Sequence, residues 1–312
     1  MNNATSEEFY VDVKQVGTLP VPEFCHVGEL SLAVYCQGDP SKPNIVLVHG
    51  YPDNSSVWNL LADQLANEFY IIRYDVRGAG NSTPPADRSG YLLAHLQADL
   101  EAVAAQFCTH PKFHLVGHDW GSVQSWESVS CPRFQSKILS YTSISGPCLD
   151  HVGHWFRRRW RKRGGSLAII NQVFRSWYIW FFHIPLLAPL LWRVALGRSW
   201  PRLMRMVEGI STGSEGVQDS AQRWRDGVNG IELYRANCLR RFRHPRQRFS
   251  TLAVQLVIPL QDRFLSADLY SEISEWVPNL TVCHVDGGHW LPLSHSTELT
   301  MLIAGFVNQR AP

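Results

Sequence analysis

The chain has 312 residues, of which 45% are hydrophobic and 18% charged, and its formal net charge at pH 7 is +2. This composition predicts a globular protein with a sizeable core and excludes a largely disordered chain. The seven cysteines form no CxxC motif and no paired pattern. Such usage is typical of a reducing compartment, and we find no signal-peptide pattern at the N-terminus, so we expect a cytoplasmic protein.

Short apolar runs alternate with helix-like segments in the first half of the chain. Residues 45–49, 70–75, 113–118 and 138–144 are predicted strands. Residues 55–67, with Ser55 as the N-cap, and residues 90–107 and 121–130 are predicted helices. Strands that alternate with helices imply β-α-β units with parallel strands.

The pattern changes after Gly146-Pro147. Residues 147–248 contain no clear strand and carry 19 Lys and Arg against six Asp and Glu, a net charge of +13, whereas the rest of the chain carries −11. Alternation then resumes with a strand at 252–259, a helix at 267–276, a strand at 280–285 and a helix at 296–308. We therefore predict an α/β core, residues 1–146 and 249–312, interrupted by a helical cap at 147–248.

Residues 176–192 form the most apolar segment and contain no Lys, Arg, Asp or Glu. A membrane-spanning helix needs about 20 apolar residues. This run is shorter and includes His183, Pro185 and Pro189. We interpret it as a buried, bent helical segment of the cap.

Asp119 lies in the sequence Gly-His-Asp-Trp-Gly, between a predicted strand and a predicted helix. The form G-x-nucleophile-x-G is typical of a tight strand-to-helix turn that exposes its central side chain. The following helix N-terminus favours an ionised carboxylate there. Asp119 is therefore a candidate nucleophile, and the alternative is an aspartate that only caps the helix.

Three further motifs follow predicted strands. His49-Gly50-Tyr51-Pro52 comes first, and its alternative interpretation is an ordinary turn. Asp262 follows the strand at 252–259, and His289 lies in a glycine-rich loop after the last strand. The chain order of nucleophile, acid and histidine is that of a catalytic triad. Asp286 is a competing acid, but it lies only three residues from His289, so we prefer Asp262.

The motifs HGYPD, RYDVRGAGNS, GHDWGS and GGHW resemble those of epoxide hydrolases and haloalkane dehalogenases of the α/β-hydrolase superfamily, over essentially the whole chain. The chain is most similar to the hydrolase domain of some bacterial proteins that also carry a short-chain dehydrogenase domain. It has no GxGxxG after a strand, so we expect no dinucleotide-binding domain. The resemblance implies an α/β-hydrolase fold with a mostly parallel central sheet and an oxyanion hole formed by the N–H groups of Tyr51 and Trp120.

Aspartate in place of serine restricts the reaction. A serine attacking a saturated carbon would form an ether that the enzyme could not hydrolyse, whereas a carboxylate forms an ester that water can cleave. We therefore expect an sp³ carbon with a leaving group as the electrophile, and His289, oriented by Asp262, as the base that activates water.

The leaving group is either an epoxide oxygen or a halide. An epoxide oxygen needs a proton donor, and a phenol with a pKa of about 10 stays protonated at neutral pH. Epoxide hydrolases use two cap tyrosines, and the two in residues 147–248, Tyr178 and Tyr234, resemble them. Packing tyrosines are the alternative, and a haloalkane dehalogenase is the alternative activity.

The remaining aromatic residues predict a small hydrophobic substrate. We assign Trp120, Tyr51, Trp177 and Phe181 to substrate binding. His118 is expected to be a packed residue. Asp53 and Arg77 are expected to stabilise loops near the site. We find no metal-ligand spacing and expect no cofactor.

The basic run at residues 157–163 has three interpretations. It is a solvated loop or pairs with the acidic core, it contacts an anionic membrane surface, or it binds nucleic acid, which nothing else in the chain supports.

The whole protein has a third candidate function besides the two enzyme activities, which is a catalytically silent binding protein. The complete set of candidate catalytic residues argues against it. We expect a monomer or a homodimer.

Overall fold

The computed structural model describes residues 20–210 and 220–310. An eight-stranded sheet has the order β1-β2-β4-β3-β5-β6-β7-β8. The strands are β1 (Glu23–Val27), β2 (Leu30–Gln37), β3 (Asn44–Val48), β4 (Tyr70–Tyr74), β5 (Phe113–His118), β6 (Ile138–Ile144), β7 (Ala253–Pro259) and β8 (Leu280–Val285). Strands β3 to β8 are parallel, and β2 pairs antiparallel with both β1 and β4. The mostly parallel sheet that the sequence predicts is confirmed.

Helices cover the sheet and fill the long connection between β6 and β7. They are α1 (Asn59–Leu65), α2 (Leu93–Phe107), α3 (Trp120–Val129), α4 (Pro132–Gln135), α5 (Leu149–Arg161), α6 (Gly165–Arg175), α7 (Trp177–Phe182), α8 (Leu187–Leu191), α9 (Gly197–Glu208), α10 (Ser220–Arg243), α11 (Leu291–Ser294) and α12 (Ser296–Asn308). A π-helical stretch, Trp192–Leu196, joins α8 to α9. Every position of β3, β5 and β7 is buried, because a parallel sheet is covered on both faces.

Several sequence-based expectations are corrected. Asn54, not Ser55, caps the helical turn that precedes α1, and its side chain accepts a hydrogen bond from the N–H of Ser56. The helix predicted at 267–276 is two short 3-10 turns, Ala267–Tyr270 and Ile273–Glu275. The hairpin of β1 and β2 was not predicted.

The apolar segment at 176–192 bends as predicted, because residues 183–186 separate α7 from α8. Its predicted burial is wrong. Trp177, Trp180 and Leu187 are all exposed. Within residues 20–210 and 220–310, no helix is both long enough and apolar enough to cross a membrane.

A buried ion cluster joins the helices between β6 and β7 to α3. Arg241 and Arg248 each pair with both Glu127 on α3 and Asp150 on α5. Buried charges require such mutual pairing, because each one loses its hydration on burial. The division into core and cap at residues 146 and 248 stays a prediction.

Candidate active site

The candidate residues of the core meet at the carboxyl edge of the parallel strands. Tyr51 follows β3, Asp119 follows β5, Asp262 follows β7 and His289 follows β8. Loops that leave neighbouring parallel strands emerge at the same edge of the sheet, which is where α/β proteins place their sites. The sheet topology therefore brings together residues that are far apart in the chain.

Asp119 occupies a strained backbone conformation between β5 and α3, with φ 50° and ψ −121°. Such a conformation costs energy in a residue other than glycine and is held by its surroundings. A Cβ atom at Gly121 would collide with the carbonyl oxygen of Val48, so the turn packs directly on β3. The Asp119 side chain makes no capping hydrogen bond to α3, so the helix-cap alternative is wrong.

The Asp119 carboxylate instead faces the loop after β3 and the loop after β8. Its Oδ1 accepts a hydrogen bond of 2.7 Å from the N–H of Tyr51. Its Oδ2 lies 3.3 Å from Nε2 of His289. The Tyr51 N–H therefore points at the group on which an oxyanion would form. Trp120, predicted as the second donor, begins α3 directly after Asp119.

His289 is held from its other side by Asp262. The Nδ1 of His289 lies 2.9 Å from Oδ2 of Asp262, and Oδ1 of Asp262 accepts the N–H groups of Phe264 and Leu265 at 2.8 and 3.0 Å. The competing Asp286 is exposed and bonds to Gln261. The structure thus brings Asp262, not Asp286, to the histidine.

Burial and charge act in opposite directions on this pair. Burial by itself lowers the pKa of His289, but the carboxylates of Asp262 and Asp119 outweigh it and hold that pKa well above its ordinary value. Burial raises the pKa of Asp262, but the charge and hydrogen bond of His289 outweigh it and lower that pKa. The ion pair of His289 and Asp262 is therefore favoured in the resting site.

Two cavities meet at Asp119. One has a volume of about 380 Å³ and extends between α3, α5 and α6, and the other has a volume of about 430 Å³ and extends towards α8 and α9. Asp119, Tyr178 and Tyr234 line both cavities, whereas His289 lines only the second. A molecule in either cavity can therefore reach the carboxylate and the two phenols.

Tyr178 and Tyr234 come from α7 and α10 and pack edge to face, with ring centroids 5.8 Å apart. Burial, followed by the charge of Asp119, raises the pKa of both phenols well above the ordinary value. Both side chains are therefore protonated and able to donate. They pack against aromatic neighbours, as the packing alternative requires, but they also line the cavities beside Asp119.

The predicted substrate-binding residues all line one of the two cavities. Trp120 lines the first cavity, and Tyr51, Trp177 and Phe181 line the second. The Tyr51 hydroxyl donates to the carbonyl oxygen of Gly227 at 3.0 Å, so its ring is held against α10. The walls of both cavities are mainly apolar and aromatic.

Three side chains from other segments contact the loop that carries His289. Nε2 of His118 donates to the carbonyl oxygen of His289 at 2.9 Å, and burial lowers the pKa of His118 to about 4, so it is neutral and packed. The indole N–H of Trp290 donates to Asp53 at 2.8 Å. Arg77, in contrast, pairs with Asp99 on α2.

Glu208, at the end of α9, is the third contact of this loop and was not found from the sequence. Burial raises the pKa of its carboxyl group, and the neighbouring charge of His289 and backbone N–H groups of Trp290 and His289 oppose that rise. A Cβ atom at Gly288 would collide with Glu208 Oε2, so a side chain at that position would displace the Glu208 carboxyl group. The two glycines before His289 were the available signal, because they indicate a close approach of another group.

The basic run at the end of α5 is partly paired with the core. Arg158 lies 3.0 Å from Glu272 and 2.7 Å from Glu275, and Arg159 lies 2.6 Å from Asp268. The structure therefore bears out pairing with the acidic core for these two arginines. All seven cysteines are free thiols.

A family model described as alpha/beta hydrolase fold matches residues 43–296. The chain belongs to this family. The chain order of its candidate residues, its turn at Asp119 and its sheet agree with this membership.

Relatives of this α/β hydrolase include proteins with named activities. "Probable oxidoreductase EphD" of Mycobacterium tuberculosis is 35% identical over 285 residues, which are 89% of this chain and 48% of that protein. The chain thus spans about half the length of that relative. "Epoxide hydrolase 3" of Xenopus tropicalis is 23% identical over 87% of this chain and 73% of its own length.

Solved structures share the fold of this α/β hydrolase. A Bacillus megaterium epoxide hydrolase in complex with an inhibitor has a TM-score of 0.75 and 20% identity, covering 92% of this chain and all of that one. The epoxide hydrolase VrEH1 from Vigna radiata has a TM-score of 0.71 and 18% identity, covering 92% of this chain and 97% of that one.

Proposed function

We propose that this α/β hydrolase is an epoxide hydrolase, which adds water to an epoxide and releases a vicinal diol without a cofactor. The observation that carries the proposal is the pair of protonated phenols, Tyr178 and Tyr234, in the same two cavities as the Asp119 carboxylate. A nucleophile and proton donors around one cavity are the groups that opening of an epoxide requires. The relatives that are named epoxide hydrolase 3 support this activity.

In the first step, an oxygen of Asp119 attacks an epoxide carbon and the carbon–oxygen bond of the ring breaks. The leaving oxygen takes the proton of Tyr178 or Tyr234. The product is a hydroxyalkyl ester on Asp119 and a tyrosinate. Trp177 and Phe181 supply apolar walls of the second cavity for the rest of the substrate.

In the second step, His289 removes a proton from water and the hydroxide adds to the ester carbonyl carbon of Asp119. The N–H of Tyr51, now 2.7 Å from Oδ1, stabilises the oxyanion, with that of Trp120 as the second donor. Collapse releases the diol, which takes the proton from His289. The proton left on the Asp119 carboxyl replaces the one that the tyrosine gave up.

Formation of the ester also prepares the base. The negative charge of Asp119 contributes to the raised pKa of His289 in the resting site. Esterification removes this charge, so the pKa of His289 falls and the ring releases its resting proton to solvent, which frees Nε2 to accept a proton from water. His289 takes up a proton from solvent again when the Asp119 carboxylate is restored. Asp262 remains as the orienting partner of Nδ1.

One turnover in ¹⁸O-water with an epoxide such as styrene oxide, followed by mass analysis of the peptide that contains Asp119, tests the mechanism. We expect the label in Asp119, because water attacks the ester carbonyl. Label in the diol alone would contradict the ester mechanism. His289→Gln serves as the matched variant, because it retains the nucleophile and should accumulate the ester as a mass increase.

A bromoalkane assay distinguishes the alternative activity. Release of bromide without formation of a diol from any epoxide would identify a haloalkane dehalogenase. Ligand binding without turnover of either substrate class would identify a binding protein. The proposal also treats residues 147–248 as a cap whose helices α7 and α10 supply the two phenols.

A further inference from the structure

Helices α6, α7 and α8 direct apolar side chains outwards. Of the 19 large apolar side chains that are exposed among the described residues, 12 lie within residues 160–194. On α6, Leu167, Ile170 and Phe174 are 72%, 50% and 74% exposed and follow helical spacing, so they form one stripe. A face of this kind indicates an interaction surface, because solvated helices normally direct apolar stripes to the core.

The stripe continues across α7 and α8. Trp177 and Trp180 follow Phe174 at spacings of three residues, and Leu187 and Leu190 repeat the pattern on α8. Leu186, in the turn between these helices, is 82% exposed. We call these exposed side chains of residues 167–194 the apolar face.

The stretch of sequence that carries the apolar face contains basic but no acidic residues. Residues 151–207 contain 11 Lys and Arg and no Asp or Glu. Arg161, Lys162, Arg163, Arg198 and Arg202 are exposed at the ends of α5 and on α9. This charge favours an anionic partner and disfavours a second copy of the chain, because a twofold contact would place like charges opposite each other.

The apolar face also surrounds an opening of the candidate site. Phe174, Trp177 and Leu191 are exposed on this face and at the same time line the cavity that contains His289. Trp180 is likewise exposed and lines the other cavity beside Asp119. Both cavities therefore reach the surface within the apolar face.

We infer that the apolar face docks on the surface of an anionic lipid bilayer and opens the site directly to the acyl region. Exposed Trp side chains suit the interface between acyl chains and headgroups, and the flanking Arg and Lys side chains suit anionic headgroups. This inference rests on the proposed function in one respect: the molecule that enters is a lipophilic epoxide that partitions into the membrane. The docking itself requires no catalysis.

Co-sedimentation with vesicles tests the docking, with phosphatidylcholine alone compared to phosphatidylcholine containing phosphatidylglycerol, at low and high salt. We expect strong binding only to the anionic vesicles and a loss of binding at high salt. Leu167→Glu/Leu186→Asp should reduce the partition coefficient more than about tenfold. Arg161→Gln/Lys162→Gln/Arg163→Gln should reduce it about 100-fold, because each charge near the surface contributes about fivefold.

Met301→Glu is the matched control, because Met301 is 64% exposed on α12 and lies outside the apolar face. It should bind vesicles like the wild type. Thermal unfolding measurements establish that each variant is folded. If Leu167→Glu/Leu186→Asp does not fold, the triple glutamine variant of residues 161–163 still tests the docking. Neither altered set lines the cavities beside Asp119, so hydrolysis of a small water-soluble epoxide without vesicles should be unchanged.

Equal partitioning of the wild type to neutral and anionic vesicles would overturn the inference, and so would an equal loss in Met301→Glu. Self-association in sedimentation velocity that disappears in Leu167→Glu/Leu186→Asp, without vesicle binding, would assign the face to a second copy. Asp119→Asn should bind vesicles normally. A failure of docking is therefore distinguishable from a failure of the proposed activity.

Discussion

Replacement of Asp262 by asparagine tests how the site selects the protonation state of its base. Asp262 is 4% exposed, and its Oδ1 accepts the N–H groups of Phe264 and Leu265. An asparagine carbonyl must take that position, because an NH₂ group cannot accept those bonds. The NH₂ group is then directed at Nδ1 of His289, which Asp262 Oδ2 contacts at 2.9 Å in the wild type.

The ring of His289 would then be protonated on the wrong nitrogen. With Nδ1 as the acceptor, the proton lies on Nε2, the atom that faces Asp119 at 3.3 Å. Such a ring cannot take a proton from water at Nε2. Loss of a positioned general base costs about 10²–10⁴-fold in rate, which corresponds to about 3–5 kcal/mol in the barrier to ester hydrolysis. Ester formation uses Asp119 and the tyrosines and should change much less.

Single-turnover kinetics and intact-protein mass measure the two steps separately. We expect Asp262→Asn to consume about one equivalent of epoxide rapidly, to accumulate the ester on Asp119 and then to release diol slowly. Asp286→Asn is the matched control, because Asp286 is exposed and bonds only to Gln261 among the contacts described for it. Wild-type turnover in Asp262→Asn, or an equal slowing of both steps, would refute the reasoning.

Tyr178→Phe/Tyr234→Phe should slow ester formation from an epoxide by about 10²–10⁴-fold, because the leaving oxygen loses its proton donors. Stopped-flow measurement of epoxide consumption gives this rate. Bromide release from a bromoalkane, if present, should not change, because a halide needs no proton. Burial raises the pKa of Asp53 to about 7, so the folded state favours the protonated acid and the wild type loses stability as pH rises towards that value. Asp53→Asn should remove this loss, seen as a smaller drop in Tm between about pH 5 and about pH 8. Glu127→Gln should lower the free energy of unfolding in urea by about 3–5 kcal/mol, because it breaks the buried ion cluster that includes Arg241.

Different results would contradict each of these expectations. Equal slowing of bromide release and epoxide opening in the double phenylalanine variant would indicate that the tyrosines only pack. An identical pH dependence of Tm in Asp53→Asn and the wild type would mean that Asp53 does not titrate in the folded state. A wild-type unfolding free energy in Glu127→Gln would mean that the buried charges do not depend on one another, and Arg133→Gln, on an exposed pair, is its control.

Local patterns in the sequence determined the parallel strands and the order of the candidate triad. Continuous apolar runs predict strands that are buried on both faces, and β5, β6 and β8 have the predicted bounds. The glycines around Asp119 predict a tight turn because only a residue without a side chain allows that approach. These signals depend on neighbours within a few residues, so they are readable before the chain is folded.

Contacts between distant segments were decided only by the tertiary structure. The choice of Asp262 over Asp286 depends on which loop faces His289, and the carboxyl group of Glu208 reaches the same loop from α9, about 80 residues away in the chain. Neither contact leaves a local pattern, because the partners are related only through the packing of the sheet and its helices.

Asp119 itself depends both on local sequence and on tertiary contacts. Its place in a strand-to-helix turn follows from the adjacent sequence, whereas its role depends on Tyr51, His289 and the two cavities that meet there. The apolar segment at 176–192 shows the same division in the opposite sense. Its hydrophobicity predicted burial, but the exposure of a helix face depends on which neighbours cover it. The helices packed against α7 and α8 leave that face exposed. Its exposure is therefore determined only by the folded chain.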